Sequence, residues 1–362
     1  MQNYPVAKID LAALKHNLKR VKQLAPESRV MAVIKANAYG HGAKQVAQAL
    51  EGSDAFAVAR LDEGVQLRQS GIKQPIVILE GVHSELDLIT AAAQSLSLVF
   101  HHQSQIDLVT SSSLTQPLSF CWLMVETGMH RLGLAMDKVN DAQQRLSASS
   151  NLVGPIGLMS HFACADTIDD PRNQQQLENL QQLMVEDMPT SMANSAAILS
   201  YADSHGDWIR PGLMLYGISP FDEQSAHDLG LQPVMRLESV ITAIQTLKAG
   251  DQVGYGGDWT AQQETQIAIV SIGYGDGYSR QLSHKGAVVI TGQSAAVIGR
   301  VSMDMIAVDI SQLSNVSVGD TVTLWGDNLL TVEDVAQHAK TIAYELVCQV
   351  SERVIREYNG QS

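Results

Sequence analysis

Cysteine is scarce in this sequence, which holds only Cys121, Cys164 and Cys348 among its 362 residues. These residues are scattered, odd in number and without the paired spacing of metal ligands. We interpret them as reduced residues in or near the core. The histidines also lack paired ligand spacing, and no Gly-x-Ser-x-Gly motif occurs. No metal site is therefore predicted, and neither a metal enzyme nor a serine hydrolase has a supporting pattern.

Basic residues are also in deficit, because 24 Lys and Arg stand against 38 Asp and Glu for a net charge of −14. Nucleic acids and anionic membrane surfaces repel such a chain, so neither is an expected partner. No apolar run is long enough to span a bilayer. Residues 1–10 lack the basic start and apolar stretch of a signal peptide. We therefore expect a cytoplasmic protein.

A regular alternation of short apolar runs and helical patterns occupies the first part of the chain. The helical patterns cover residues 43–50, 61–69, 85–93 and 173–184, and the apolar runs cover residues 30–34, 55–59, 75–79, 96–100, 118–125, 155–160, 192–194 and 209–216. Strand and helix in alternation predict a parallel sheet, and eight strands would close a (β/α)8 barrel. The seventh run is weak, so periodicity alone also allows a doubly wound sheet.

The pattern changes after about residue 220, where β-branched and partly alternating segments are separated by glycines. These segments cover residues 236–246, 266–272, 287–290 and 305–310. They predict a mainly antiparallel β domain. One late helix is expected over residues 331–339, with Thr331 as its N-cap and Asp334 three residues later. We predict two domains, 1–225 and 226–362, with the linker near residues 222–230.

The most informative stretch covers residues 29–42, where a buried strand leads directly into Lys35. A buried ammonium is costly, so a lysine desolvated at the carboxyl end of a barrel strand has a lowered pKa. Such an amine can attack a carbonyl, and barrel enzymes keep their chemistry at this end. The alternative is that Lys35 only extends from a strand end into solvent.

The same stretch, with Tyr39, Gly40 and Gly42 after the lysine, resembles the cofactor-lysine motif of the alanine racemase family. The resemblance implies that Lys35 binds pyridoxal 5'-phosphate covalently. It also implies that the Tyr39 hydroxyl bonds the cofactor phosphate and that the two glycines keep the loop narrow. The expected fold is then the barrel followed by the β domain.

Other segments resemble the same family in the same order along the chain. Residues 126–133 match its TGMxRLG block, which implies that Arg131 reaches the substrate carboxylate and the cofactor's phenolic oxygen. His161 would pack against the pyridine ring, and Arg210 would face the ring nitrogen, where an arginine can only donate. Taken alone, these three side chains could equally be structural residues or strand-end arginines.

The phosphate site implied by the resemblance combines a helix start with a tight turn. Asn194 and Ser195 precede two alanines that begin a helix, where unpaired amides and the helix dipole favour an anion. Gly212 and Leu213 would donate backbone amides, and Tyr344 would lie at the phosphate and at a constriction of the site. An ordinary helix cap explains Asn194 and Ser195 locally just as well.

Racemisation removes a proton on one face of the α-carbon and returns it on the other, so two bases serve it. Lys35 is one, and residues 250–257 resemble the catalytic tyrosine motif, which makes Tyr255 the other. A phenol ionises near pH 10, so the site has to lower that pKa. In the family, residues equivalent to His161 and Arg210 do so. Taken alone, a Tyr-Gly-Gly sequence is also typical of a hairpin.

The resemblance further implies a homodimer with shared active sites, because the family's catalytic tyrosine reaches the partner subunit. Tyr274 and Arg280 would line the mouth of the site, and the Met303 amide would bind the substrate carboxylate. A narrow mouth lined by tyrosines favours a methyl side chain. Alanine is therefore the expected substrate.

Met124 departs from the family pattern, because many members carry a carbamylated lysine at this position. That group supplies a negative charge that methionine cannot supply, so we expect Arg131 to be held by a bound chloride or by Glu126. The resemblance implies alanine racemase activity, an isomerisation that in this family supplies D-alanine for peptidoglycan or degrades alanine. The alternatives are a racemase of broader specificity, a barrel decarboxylase with the same cofactor, and a non-catalytic carrier of that cofactor, which Tyr255 and the second domain disfavour.

Overall fold

The computed structural model describes residues 5–183 and 188–360. Residues 1–4 of the N-terminal segment, and Met184 at the end of one predicted helix, lie outside the described residues. A first strand, β1 (Val6–Asp10), precedes eight parallel strands that close into a barrel, with β9 paired to β2. The barrel strands are β2 (Arg29–Val33), β3 (Ala55–Val58), β4 (Ile76–Ile78), β5 (Ser97–Phe100), β6 (Cys121–Met124), β7 (Ile156–Met159), β8 (Thr190–Ser191) and β9 (Trp208–Ile209). The barrel is confirmed, and the doubly wound alternative is wrong.

The barrel strands are buried on both faces, because helices cover the outside and side chains fill the inside. Every residue of β3, β5 and β7 is buried. Gly157 in β7 makes room for Trp122, since a Cβ there would lie 2.5 Å from the indole ring. The apolar runs therefore predicted strands correctly even though they do not alternate.

Helices surround the barrel on its outside. They cover Leu11–Leu24, Ala43–Ala49, Leu61–Gln69, Glu85–Ala93, Gln103–Ser111, Val139–Ser147, Pro171–Gln181 and Ser195–Ser200. Ser84 caps the fourth of these by accepting from the Asp87 amide at 3.1 Å. Among the described residues, no helix has both the length and the apolar character needed to cross a bilayer.

The last two barrel strands differ from the predicted runs. β8 ends before residue 192, because Asn194 instead caps the helix Ser195–Ser200 by accepting from the Ala197 amide at 3.0 Å. β9 ends before Arg210, and Pro211 has no amide to continue a ladder. A 3-10 helix, Leu213–Tyr216, follows. The apolar character of residues 209–216 therefore reflects a buried turn and not one long strand.

A second sheet forms the other half of the molecule, in the order β13-β16-β15-β14-β17-β10-β1-β18. Its strands after β1 are β10 (Met235–Leu247), β13 (Thr265–Val270), β14 (Ala287–Ile290), β15 (Gln293–Ile298), β16 (Ile306–Asp309), β17 (Thr321–Trp325) and β18 (Ile355–Asn359); a small ribbon pairs β11 (Gln252–Val253) with β12 (Trp259–Thr260). All neighbours are antiparallel except β1 and β18, which confirms the mainly antiparallel prediction. The N-terminal strand thus completes the C-terminal sheet.

Two helices, Val332–Ala339 and Ala343–Gln349, lie between β17 and β18. Thr331 caps the first, as predicted, by accepting from the Asp334 amide at 3.1 Å. The second buries Ala343, Leu346 and Val347, which leaves Cys348 exposed. A position in or near the core was predicted for all three cysteines: Cys121 is buried and Cys164 is half-buried, but the prediction is wrong for the exposed Cys348.

Candidate active site

Lys35 lies just beyond the carboxyl end of β2 and begins a left-handed helical turn, residues 35–39, which we call the lysine turn. Residues 36–39 all have φ of 52° or 53°. Such a backbone costs L-residues roughly 1–2 kcal/mol each, or about 4–8 kcal/mol for four. The surrounding structure must therefore hold this turn, and strain of this kind concentrates at functional sites.

Glu63 holds the start of the lysine turn from the neighbouring helix. Its carboxylate accepts from the Ala36 amide at 2.6 Å, and from the amides of Ala59 and Arg60 at 2.8 and 3.0 Å. Glu63 was not among the predicted site residues. It is the third residue of the helix Leu61–Gln69, where an acidic side chain often caps the helix start, and that position was the available signal.

The second half of the molecule holds the end of the lysine turn. The Arg356 guanidinium donates from Nε to the Gly40 carbonyl at 2.7 Å. Gly40 has φ of 80°, and a Cβ on it would lie 2.0 Å from the Val347 carbonyl oxygen. At Gly42, with φ of 99°, a Cβ would overlap the Tyr358 hydroxyl. Both glycines are needed for this close contact between the barrel and the second sheet.

Lys35 itself is electrostatically suited to act as a nucleophile. Burial lowers its pKa, and the nearby charge of Arg131 lowers the pKa further. Glu63 and Glu80 act weakly in the opposite direction. A lowered pKa increases the fraction of neutral amine, which is the reactive form.

Tyr39 closes the lysine turn and places its hydroxyl against Gly212, where a Cβ would lie only 2.7 Å from the hydroxyl oxygen. The Tyr39 ring packs on Tyr216 at 4.8 Å and on Tyr344 at 6.0 Å between centroids. Burial raises the pKa of Tyr39, so its hydroxyl stays protonated and can donate to an anion. Burial also raises the pKa of Tyr344 to about 12.

Ser195 is buried and also contacts Gly212. Its Oγ accepts from the amides of Gly212 at 3.0 Å and Met214 at 3.2 Å, which leaves its own proton to donate elsewhere. Leu213 begins a 3-10 helix, whose first amides have no partner inside the helix. Hydroxyl and amide donors thus surround Gly212, and a Cβ at this position would take up the space next to the Tyr39 hydroxyl. This arrangement fits the phosphate of pyridoxal phosphate.

Arg210 is fully fixed in the barrel wall, next to His161. Its Nη1 donates to Ser191 Oγ at 2.6 Å, and its Nη2 donates to the Ser160 carbonyl at 2.5 Å and to His161 Nδ1 at 3.2 Å. Burial lowers the pKa of Arg210 to about 10, so the group keeps its charge at neutral pH. Burial, assisted by the charge of Arg210, lowers the pKa of His161 to about 3, so His161 is neutral. Ser191 and Ser160 were not predicted as site residues.

Arg131 is exposed, and its charge lowers the pKa of Lys35, His161 and Arg210. The proposed Glu126 partner is wrong. The Glu126 carboxylate instead accepts from the Gly128 amide at 2.5 Å and lies 3.7 Å from His130, and Arg131 forms no salt bridge within the described residues. Bound chloride stays a prediction for the role that Met124 cannot fill.

The second-domain residues predicted for the site are exposed. Tyr255, Tyr274 and Met303 are 72, 45 and 52% exposed. The segments of Tyr274 and Met303 do meet, because the Gly275 amide donates to the Met303 carbonyl at 2.9 Å. Tyr255 lies on a short turn after β11.

Asp276 and Arg353, which were not among the predicted site residues, fix the loop that carries Tyr274. The buried Asp276 accepts from the Gly273 amide at 2.9 Å and pairs with Arg353 Nε at 2.8 Å. Arg353 also pairs with Asp304 at 2.6 Å, beside Met303. These two loops are therefore held as one unit on the surface.

A cavity of about 1160 Å³ lies at the other end of the barrel. It is lined by the first residues of several strands, including Arg29, Ala55, Ser97 and Trp208. None of the predicted site residues lines it. Because barrel enzymes place their chemistry at the carboxyl ends of the strands, cavity size does not identify the site here.

Comparison with known proteins gives matches along the whole chain. The family model described as "Alanine racemase, N-terminal domain" matches residues 9–220, and "Alanine racemase, C-terminal domain" matches residues 234–358. An alanine racemase from Shewanella loihica is 45% identical over 356 residues, which cover 98% of this chain and 99% of that protein.

Solved structures agree with these sequence matches. The biosynthetic alanine racemase from Pseudomonas aeruginosa superposes with a TM-score of 0.94 at 40% identity, covering 99% of this chain and 100% of that one. The alanine racemase from Bartonella henselae with covalently bound pyridoxal phosphate superposes with a TM-score of 0.89 at 28% identity, with coverage of 99 and 100%.

Proposed function

This chain belongs to the alanine racemase family, and we propose that it interconverts L- and D-alanine with pyridoxal phosphate held at Lys35. One observation carries the proposal: a desolvated lysine, a cradle of phosphate donors around Gly212 and a fixed Arg210 meet at the carboxyl end of one barrel. The covalently bound cofactor of the Bartonella henselae relative supports the choice of cofactor.

Different residues would hold different parts of the cofactor. Lys35 would bind it covalently, His161 would pack against its ring, and Arg210 would donate to its ring nitrogen. The phosphate would be bound by the hydroxyls of Tyr39 and Ser195 and by the Leu213 amide, with the Gly212 amide holding the Ser195 hydroxyl in place, Asn194 capping the adjacent helix and Tyr344 beside Tyr39. When bound, the cofactor withdraws electrons from the α-carbon and so makes its hydrogen acidic.

The two bases then act from opposite faces of the substrate. Lys35 exchanges the proton at its Nζ on one face, and its lowered pKa makes the neutral form accessible. Tyr255 exchanges the proton at its hydroxyl on the other face. Because Tyr255 is 72% exposed within one chain, we propose that it acts in the site of a second copy, in a homodimer with shared sites.

The exposed Arg131 and residues of the second domain recognise the substrate. Arg131 and the Met303 amide bind the alanine carboxylate, and its methyl group faces a mouth narrowed by Tyr274 and Tyr344. A larger side chain would contact these rings, so alanine is the preferred substrate. We place the reaction in the cytosol, where its product supplies peptidoglycan synthesis.

Chiral analysis of purified protein with L-alanine and pyridoxal phosphate tests this function. We expect equal amounts of L- and D-alanine at equilibrium from either enantiomer. If no D-alanine forms although the protein holds the cofactor, the substrate or the reaction class is wrong.

A second candidate is a racemase of broader specificity, which Met124 favours. Without a fixed negative group beside it, Arg131 is less constrained and can accommodate other amino-acid carboxylates. The same assay with L-serine and L-lysine decides between the two candidates. Rates within about tenfold of the alanine rate would favour the broader enzyme, since a pocket discriminates against one extra methylene by about 10–200-fold.

A further inference from the structure

His41 is fully buried directly after the lysine turn, and nothing in the proposed mechanism uses it. Its Nδ1 lies 2.8 Å from the Tyr39 carbonyl oxygen and 3.1 Å from the Ala38 carbonyl oxygen. Both partners can only accept, so Nδ1 carries the proton of the ring and donates to both. Burial lowers the pKa of His41 to about 4, so the ring is neutral at neutral pH.

The imidazole is itself fixed to the barrel. Its centroid lies 4.6 Å from that of Tyr216, and the Tyr216 hydroxyl donates to the Val33 carbonyl at 3.0 Å. Val33 is the last residue of β2, two positions before Lys35. The histidine therefore connects the end of the lysine turn to the strand that precedes the turn.

The backbone of the lysine turn depends on such donors. The His41 amide also donates to the Ala38 carbonyl at 3.0 Å, so one residue bonds both carbonyls at the end of the turn. A buried carbonyl that loses its donor is costly. Without Nδ1–H, the turn gains by relaxing toward the right-handed backbone that L-residues prefer. Relaxation would move the Lys35 amine relative to the Tyr39 hydroxyl.

We propose that His41 is a positioning residue whose Nδ1–H keeps the lysine turn left-handed and so fixes the spacing between the Lys35 amine and the Tyr39 hydroxyl. The inference rests on the proposed function, in which these two groups bind two different points of one cofactor. His41 acts only through the turn.

Three substitutions separate the effect of the His41 Nδ1–H donor from the effect of the size of the ring. His41→Asn keeps an N–H near the place of Nδ1, His41→Gln moves the N–H to the place of Nε2, and His41→Leu removes it. For each variant the cofactor is removed, the affinity of the apoprotein for pyridoxal phosphate is titrated by visible absorbance, and the melting temperature of the apoprotein is recorded.

A control of similar structure lies far from the site. Asn151 is buried, and its Nδ2 donates to the carbonyls of Val109 and Ser112, both at 2.7 Å. Asn151→Leu thus removes a buried donor that also bridges two carbonyls. We expect it to lower the melting temperature about as much as His41→Leu and to leave the cofactor affinity unchanged.

We expect His41→Asn to bind pyridoxal phosphate within about threefold of wild type, and His41→Gln and His41→Leu to bind it about 10- to 100-fold more weakly, as loss of one buried hydrogen bond implies. Equal affinities for the Asn and Gln variants would overturn the proposal, as would an equal loss in Asn151→Leu. If the leucine variant does not fold, the Asn and Gln pair still decides. Failure of the wild-type chain to bind the cofactor would overturn the proposed function as well, whereas wild-type binding with no difference among the variants would overturn only the role of His41.

Discussion

The predicted site residues form two sets, one in the barrel and one in the second domain. The two sets differ in how far their side chains are buried and held in place within one chain. In the barrel, Tyr39 and Arg210 are only 7 and 5% exposed, and each is held by packing or hydrogen bonds. In the second domain, Tyr255, Tyr274 and Met303 are between 45 and 72% exposed. These two barrel side chains are buried and fixed within one chain, whereas these three side chains of the second domain are exposed.

This difference indicates that the two sets of residues have different roles. A buried, hydrogen-bonded set suits a resident cofactor, because the protein fixes the geometry before binding. An exposed set on rigid loops suits a site completed by another surface, and exposed aromatic and Met side chains are typical of such contacts. Asp276 and Arg353 tie the loops of Tyr274 and Met303 together. Substitutions in the two halves should therefore have different effects.

The largest expected effect is in the barrel half. Lys35→Ala should remove covalent cofactor binding and reduce racemisation below about 10⁻⁴ of wild type, because a nucleophile and base is lost. Visible absorbance and chiral analysis measure the two losses. Lys44→Ala, an exposed lysine on the helix Ala43–Ala49, is the control and should change neither. Racemisation retained by the Lys35 variant would refute the assignment.

The next effect belongs to the exposed half. Tyr255→Phe should leave cofactor affinity unchanged and slow conversion of L- to D-alanine by about 10²–10⁴-fold, the usual contribution of a general acid or base. Cofactor titration and initial rates in both directions measure this contrast. If Tyr255→Phe weakened cofactor binding and left the rates unchanged, Tyr255 would belong to the cofactor-binding set and not to the catalytic one.

Mixing these two inactive variants tests whether the halves come from different chains. If sites are shared, half of the randomly formed dimers contain one site with both Lys35 and Tyr255, so about a quarter of the activity returns. If each chain completes its own site, mixing restores nothing. Denaturing and refolding the variants together, against each variant refolded alone, provides the comparison.

A smaller effect tests the fit of the phosphate cradle in the barrel half. Gly212→Ala places a methyl 2.7 Å from the Tyr39 hydroxyl and should weaken pyridoxal-phosphate affinity by about tenfold, as overpacking by one methyl implies. Gly52→Ala is the matched control, because its Cβ would meet only Leu18 at an ordinary 3.7 Å. Equal affinity in both variants would mean that the phosphate does not lie against Gly212.

The sequence predicted the barrel strands well where apolar runs were long, and less well where local hydrogen bonding decided the boundary. Asn194 caps a helix with its side chain, which ended β8 earlier than hydrophobicity suggested. Pro211 ended β9 because proline has no backbone N–H to continue the ladder of hydrogen bonds. Both exceptions depend on single residues, and windows of apolar periodicity average over such residues.

The site could be predicted only as far as its motifs extend. Lys35 was indicated by a charged residue at the end of a buried strand. The left-handed backbone of the lysine turn was not foreseen, because φ above 0° is expected at glycine and not at Ala36 or Tyr39. Glu63 and Arg356 hold that turn from sequence distances of 27 and 316 residues, as measured to Ala36 and Gly40. Contacts over such distances have no local signal.

The smallest effect concerns Arg131, the exposed residue on the barrel side of the comparison. Its positive charge lowers the pKa of Lys35, so Arg131→Met should raise that pKa and make the amine neutral only at higher pH. The rate at which apoprotein captures pyridoxal phosphate, followed against pH, should then have its midpoint at a higher pH than in wild type. Arg145→Met is the control, since Arg145 pairs with Asp107 on the outer helices and should leave the midpoint in place. Because burial is the larger cause of the lowered pKa, the variant should keep part of the shift. An unchanged midpoint would mean that Arg131, despite lying on the barrel, acts only once the second chain completes the site.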